Sequence, residues 1–331
     1  MPYYQGSIGF AHKISTWRFS INQNTYLRSD LSINYFNGTL NCNHCSFTVR
    51  NNKSDSSPRD LIITGSVKKV ENLNSFMRTL RHTGCKCTVV ILLDEQAYQF
   101  LTKDMILDIE RCGGQIINMG EPEFTKLSNH FTLIYLWTYY IVKRNYYKFD
   151  RIMKCDMFDT VFQGDPFNKM IEPGKFYMIE ETKQSLRGMY NHIATDLGIR
   201  SGFKETFICA GISCGYIEPF THALDVYFSY FRWDRGWCDQ HLFNILYSCD
   251  FFKYHNVDLV ALRPNETIRH LYTMRTDGEM GSITGIYNNK AYATVLHHIH
   301  VAPILLDSIR KYCPNNNEAL KNYVTEFRQS G

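Results

Sequence analysis

The chain has 331 residues, 44% hydrophobic and 21% charged, a size and composition that supply a large core and exclude a disordered or fibrous protein. The formal net charge is only +4, and Lys and Arg are scattered rather than gathered into a stripe, which excludes nucleic acid as a first partner. Residues 1–58 are irregular, rich in Asn, Ser and Tyr, and end in the polar NNKSDSSPRD. This segment reads as a stem or arm before one domain spanning 59–331.

The regular part opens at Asp60 with LIITGS, a β-rich run closed by Gly65. A helical pattern follows, carried by Val70, Leu73, Phe76, Met77 and Leu80. CTVVILLD is a near-continuous apolar run bounded by Asp94, as a fully buried parallel strand requires. A second helical pattern from Ala97 to Arg111 stops at Gly113-Gly114, and QIINMG reads as a third strand. Strand, helix, strand, helix, strand is the opening of a doubly wound sheet, so the fold class is α/β.

A long aromatic-rich helix from Lys126 to Arg144 leads into FDRIMKCDMFDTVFQGDPF, residues 149–167. Two apolar segments, KFYMIEE and FICAGISCGY, read as strands. Pro219 to Phe231 and Cys238-Asp239-Gln240-His241 to Tyr247 read as helices. After FFKYHNVDLVAL the sequence turns polar and Arg-containing (Arg263, Arg269, Arg275), and a strand returns only at AYATVLHHIH. No internal repeat recurs at a fixed period.

The chemistry-bearing residues cluster around the middle of the chain. Asp156 falls where the strand from Phe149 to Cys155 should end, and in open α/β sheets ligands collect beyond the carboxyl ends of strands. Asp159, three residues on, can face the same way in a tight turn. Two converging carboxylates hold a hard divalent ion with positions free for phosphate oxygens, although strand-end and capping aspartates give the same pattern. Along an expected strand Tyr292 to His300, His297 shares a face with Val295 and Ile299, while His298 and His300 point to the other. Adding one imidazole to two carboxylates leans the ion towards Mn²⁺ over Mg²⁺. Asp239 and Gln240 open a helix, where a carboxylate can orient an acceptor hydroxyl or act as a base. Ala210 and Gly211 let a ligand approach the backbone, and Thr64, Gly65 and Asp156 are the other candidates for the nucleotide side. Asp165 before Pro166 suggests a structural turn.

With these residues assembled, the chain resembles GT-A-type nucleotide-sugar glycosyltransferases. The likeness is to a group whose motif is an apolar strand, Asp-x-x-Asp, then Val-x-Phe-Gln-x-Asp-Pro-Phe, here CDMFDTVFQGDPF. FICAGISCGY, Asp239-Gln240 and a His after a late apolar strand, matched by His297, follow in the family's order over residues 60 to 300. The resemblance implies a Rossmann-like, mixed and mostly parallel sheet flanked by helices. It implies a hexosyl- or pentosyltransferase of glycan biosynthesis that moves a sugar from a nucleotide-sugar donor, foremost a UDP-sugar, to a glycan or glycoconjugate hydroxyl. Asp156 and Asp159 would face the metal and the ribose-diphosphate, and His297 would ligate the metal. The usual Asn-x-Gly entry to the small-residue segment reads Cys209-Ala210-Gly211 here. A non-catalytic sugar-nucleotide or glycan binder of the same fold is an alternative. A haloacid-dehalogenase-like phosphatase is another, although its two aspartates stand two apart rather than three.

Compartment is less constrained. The eleven cysteines are an odd number, so at least one is unpaired if the rest form disulfides. Cys42-Asn43-His44-Cys45 and Cys85-Lys86-Cys87 are the close pairs, and no second CxxC completes a structural zinc site. Disulfides in a secretory lumen and thiols in cytosol both fit. Sequons at Asn37, Asn52 and Asn265 number about what chance gives. No apolar run is long enough for a membrane span, and MPYYQGSIGFAHK lacks the order of a signal peptide. The expectation is a chain without membrane contact, in the Golgi or another secretory lumen if an anchor lies upstream, and otherwise cytoplasmic. Tyr and Phe number 22 each, enough to fill a core and its rim and to line a cleft that stacks on a base or sugar ring.

Overall fold

The structure is a computed structural model that describes residues 31–38, 42, 45–50, 54–121, 130–167, 171–181, 191–199, 206–232, 237–263, 268–270, 278–284 and 292–314. Residues 1–30, the sequons at Asn52 and Asn265, Arg275, and the start of the helix expected from Lys126 lie outside the described residues.

The first half alternates strand and helix. Strand β1 (Asp60–Ser66) leads through α1 (Leu73–His82) to β2 (Thr88–Leu93), then through α2 (Glu95–Gln99) and α3 (Lys103–Arg111) to β3 (Gly114–Asn118). Helix α4 (His130–Arg144) returns the chain to β4 (Arg151–Cys155). Leu73, Phe76, Met77 and Leu80 of α1 recur at three- and four-residue spacing and are all buried, which is why this stretch is an amphipathic helix. The expected helix over 97–111 is two helices. Thr102 adopts an extended backbone and its hydroxyl accepts from Met105 N, so it caps α3 instead of continuing α2.

The second half brings β5 (Thr160–Phe162), β6 (Lys175–Glu181), α5 (Asn191–Asp196), β7 (Phe207–Tyr216), α6 (Ile217–Tyr230), α7 (Asp239–Ser248), α8 (Phe251–Tyr254), β8 (Asp258–Leu262), β9 (Ile268–His270), β10 (Val295–His297) and α9 (Pro303–Tyr312). Seven strands form one mixed sheet in the order β3-β2-β1-β4-β7-β6-β8. The pairings β1 with β2, β2 with β3, β1 with β4 and β6 with β8 are parallel, and β7 runs antiparallel to both its neighbours. This is a mostly parallel α/β sheet with helices on both faces. Leu61, Ile63, Val90 and Leu92 share one core with α4, α6 and α7. Ile62, Val89 and Ile91 share the other with α1 and α3, as the two-residue period of buried strands requires.

A small second sheet has the order β5-β10-β9. The strand expected from Tyr292 to His300 shrinks to Val295–His297, because His298 is left-handed at φ 59° and turns the chain into a 3₁₀ turn over Ile299–Val301. His298 and His300 therefore do not alternate along a strand with His297. The described part of the N-terminal segment lies against the domain. Leu31 and Ile33 enter the first core, and the Asn145 side chain bonds Leu31 O at 3.0 Å and Ile33 N at 3.3 Å. Disulfides join Cys42 to Cys112 and Cys45 to Cys313.

Candidate active site

β1 and β4 are neighbours in the sheet, which continues from β1 through β2 and β3 on one side and from β4 through β7, β6 and β8 on the other. Their carboxyl ends therefore flank a switch point, where an open α/β sheet forms a crevice. β4 ends there. The Asp156 N–H donates to Gly211 O at 2.9 Å, and residues 157–159 form a 3₁₀ turn. The Asn72 amide holds this turn by donating to Met157 O at 3.1 Å and Thr160 O at 3.3 Å. β5 follows immediately and pairs antiparallel with β10, placing His297 opposite Thr160. That register carries His297 to the aspartates across 138 positions of sequence counted from Asp159.

Ligand atoms of Asp156, Asp159 and His297, all buried, lie within 4.8 Å of one another. Asp159 Oδ1 is 3.0 Å from His297 Nδ1, which is also 3.0 Å from the Thr160 hydroxyl. His300 Nδ1 and His298 Nε2 approach Asp159 Oδ2 at 3.3 and 3.8 Å. Gly211 closes the other side. A Cβ built there would stand 2.1 Å from His297 Nε2 and 3.1 Å from Asp156 Oδ2, so only glycine leaves this corner open. Two buried carboxylates and an imidazole could together hold a divalent ion.

Electrostatics separate the two aspartates. Burial pushes Asp156 up to about 6, with Lys154 opposing and Asp159 reinforcing the rise. Burial also works against the Asp159 carboxylate, but His297, His300 and His298 outweigh it and hold the group below its ordinary value. For His297 burial opposes the charge, and Asp159 and Asp156 prevail, so its pKa is raised. Burial and the neighbouring His297 push His298 down to about 3.

Lys154 is the principal group that sequence reasoning missed. It is fully buried, two residues before Asp156, and donates to Asp156 Oδ1 at 2.6 Å and Ala210 O at 3.2 Å. Its ammonium also sits 4.3 Å from the centre of the Tyr135 ring. Burial opposes its charge, but Asp156 and Tyr135 keep its pKa above the ordinary value, so the pair is ionic. One signal was present in the sequence: a lysine inside an apolar strand, an even number of positions from a candidate carboxylate, shares its face.

The remaining candidates form the walls. The Thr64 hydroxyl donates to Cys155 O at 2.7 Å, bracing the end of β4 from β1. Gly65 packs on β2, with Leu92 O 2.5 Å from a built Cβ. The Ala210 carbonyl accepts from the Tyr135 hydroxyl at 2.7 Å, and its N–H donates to Gln240 Oε1 at 3.4 Å. Gln240 Nε2 donates in turn to Glu181 Oε2 at 2.5 Å. Glu181, also missed in the sequence, ends β6 on the same edge of the sheet, and burial pushes it up to about 7 against the Gln240 hydrogen bond. Asp239 is buried at the first turn of α7, with the Cys238 thiol 3.2 Å from its Oδ1. Asp165 accepts from Phe167 N at 2.9 Å, from Ser56 N at 3.0 Å and from the Ser54 hydroxyl at 2.6 Å, which is a turn and a clasp on the N-terminal segment.

No protein-family model matches the sequence, and no curated protein matches it. Among solved structures, apo mouse xyloside xylosyltransferase 1 is similar over 72% of this chain and 97% of its own, at 13% identity and a TM-score of 0.43.

Proposed function

We propose that the chain is a metal-dependent glycosyltransferase with a GT-A-type domain over residues 59–331. It would transfer a sugar from a nucleotide donor, foremost a UDP-sugar, to a hydroxyl of a glycan or glycoconjugate. The observation that carries the reading is the convergence of Asp156, Asp159 and His297 beyond β4 at the switch point. The motif CDMFDTVFQGDPF supports it. When bound, a divalent ion on these three residues would neutralise the departing diphosphate. The protein's own groups prepare that event. Lys154 favours the ionised form of Asp156 against its burial and fixes its orientation through Oδ1, which leaves Oδ2 on the Gly211 side. Gly211 and Ala210 leave room for the donor beside the backbone, and Thr64 and Gly65 stiffen the wall on the nucleotide side.

Asp239 and Gln240 stand at the start of α7 for the acceptor. Asp239 would serve as base in an inverting reaction or position the acceptor hydroxyl in a retaining one. Holding donor and acceptor in line supplies the rest of the rate. The two disulfides favour an oxidising compartment, the Golgi or another secretory lumen. Among the described residues no helix is long and apolar enough to cross a membrane.

A thermal-shift screen of UDP-sugars with and without Mn²⁺ tests the reading, since a ligand that binds only the native state raises Tm. The expected result is a shift that needs both nucleotide and Mn²⁺ and disappears in Asp159→Asn together with turnover. Turnover by Asp159→Asn at the wild-type rate in Mn²⁺ would overturn the metal site.

A further inference from the structure

A second donor set overlaps the first. Cys209 of β7, His297 of β10 and His298, next in the chain, each offer a ligand atom within 4.8 Å of the others. Cys209 and His297 are buried, and the His298 side chain is 16% exposed. The left-handed backbone of His298, φ 59°, brings its ring against that of His297, with centroids 4.3 Å apart. The Cys209 sulfur also accepts from the Gly211 N–H at 3.3 Å. Three elements therefore bring a sulfur and two imidazoles together: the β7 strand, the end of β10 and the turn after it.

The chemistry of this set differs from that of its neighbour. Two carboxylates and an imidazole suit Mn²⁺, whereas one thiolate with two imidazoles suits a softer ion, of which Zn²⁺ is the commonest in tetrahedral Cys and His sites. We propose that Cys209, His297 and His298 bind a zinc-class ion. Because His297 belongs to both sets, this ion and an ion on Asp156 and Asp159 exclude each other. Zinc would then act as a competitive inhibitor against Mn²⁺, a consequence that rests on the glycosyltransferase reading, while the binding itself does not. On binding, the Cys209 thiol gives its proton to solvent and its sulfur bonds the metal, with no redox change.

Co²⁺ is the probe, because it replaces Zn²⁺ and gives a sulfur-to-cobalt charge-transfer band in the near ultraviolet when a thiolate ligates it. The expected result is one such band at one equivalent of Co²⁺, abolished by stoichiometric Zn²⁺. Cys209→Ser should lose the band with its circular dichroism unchanged, and His298→Ala should weaken Co²⁺ binding as an independent variant. Asp156→Asn should keep the band. A wild-type protein without the band, or a band unchanged in folded Cys209→Ser, would overturn the proposal. The band is read without nucleotide, so the absence of a Mn²⁺-dependent UDP-sugar shift would count against the transferase alone.

Discussion

Glu181 is a carboxyl group whose neutral form the fold favours. Burial raises it to about 7, more than the Gln240 hydrogen bond lowers it, whereas an unfolded chain leaves a glutamate near its ordinary value of about 4.3. Between these two values the folded protein holds a proton that the unfolded chain has released, so stability falls as pH rises through this window and levels above it. Glu181→Gln keeps the shape and removes the titration. The wild type should therefore lose Tm relative to Glu181→Gln between pH 5 and pH 8, with each kcal/mol worth about 1–2 °C in a chain of this size. Melting curves of both proteins at the two pH values check this, and parallel pH profiles would refute it. Subtracting the variant also removes the contribution of Asp156, which titrates in an overlapping range. Glu181 had no signature in the sequence, and Lys154 had only its even spacing from Asp156 in an apolar strand. Glu181 gains its role from Gln240, 59 positions away, and nothing in KFYMIEE specifies that partner. Asp156 and Asp159 stand out as candidates in the sequence because their spacing and position after an apolar strand are local properties.

At the scale of elements, one side chain of α7 pairs with β7 as a strand would. Asn244 accepts from Ile208 N at 2.8 Å and donates to Ile208 O at 2.7 Å, and its amide also reaches Gln240 O at 2.8 Å. It fixes the helix that carries Asp239 and Gln240 against the strand that carries Cys209, Ala210 and Gly211. Asn244→Ala would leave the buried N–H and C=O of Ile208 without this partner, and each such group costs about 1–3 kcal/mol. Urea unfolding should show the midpoint falling by the equivalent of at least about 2 kcal/mol with the m-value unchanged. A loss below about 0.5 kcal/mol, the size of an ordinary surface substitution, would show that the clamp is dispensable. Strand and helix identities were largely readable from apolar periodicity, including the buried run at Thr88–Leu93. The misread boundaries have local causes, the Thr102 cap that splits 97–111 and the left-handed His298 that ends β10. The pairing of β5 with β10, which delivers His297 to Asp159, is a register between distant segments and has no signature in either one.

Across the whole molecule, two cysteines three residues apart reach in different directions. Cys42 pairs with Cys112 at the end of α3, 70 positions away, and Cys45 with Cys313 just beyond α9, 268 positions away. Cys42 and Cys45 are close in the sequence, yet each fastens the N-terminal segment to a different part of the fold. The first bond holds it to the β1–β3 half. The second holds it to α9, whose Leu305 and Ile309 pack with Leu296 of β10 in a third core. Cys85 and Cys87, the other close pair, are buried free thiols. Closing a long loop restricts the unfolded chain, and native disulfides commonly contribute about 2–4 kcal/mol. Cys313→Ser should therefore lower stability by about that amount, and a reductant should lower Tm more in the wild type than in the variant, which has already lost one crosslink. Peptide mapping without reduction checks the connectivity directly: a fragment linking Cys45 to Cys313 is expected. A Cys42–Cys45 link, or a variant as stable as the wild type, would show that α9 and the His297 strand are held by packing alone.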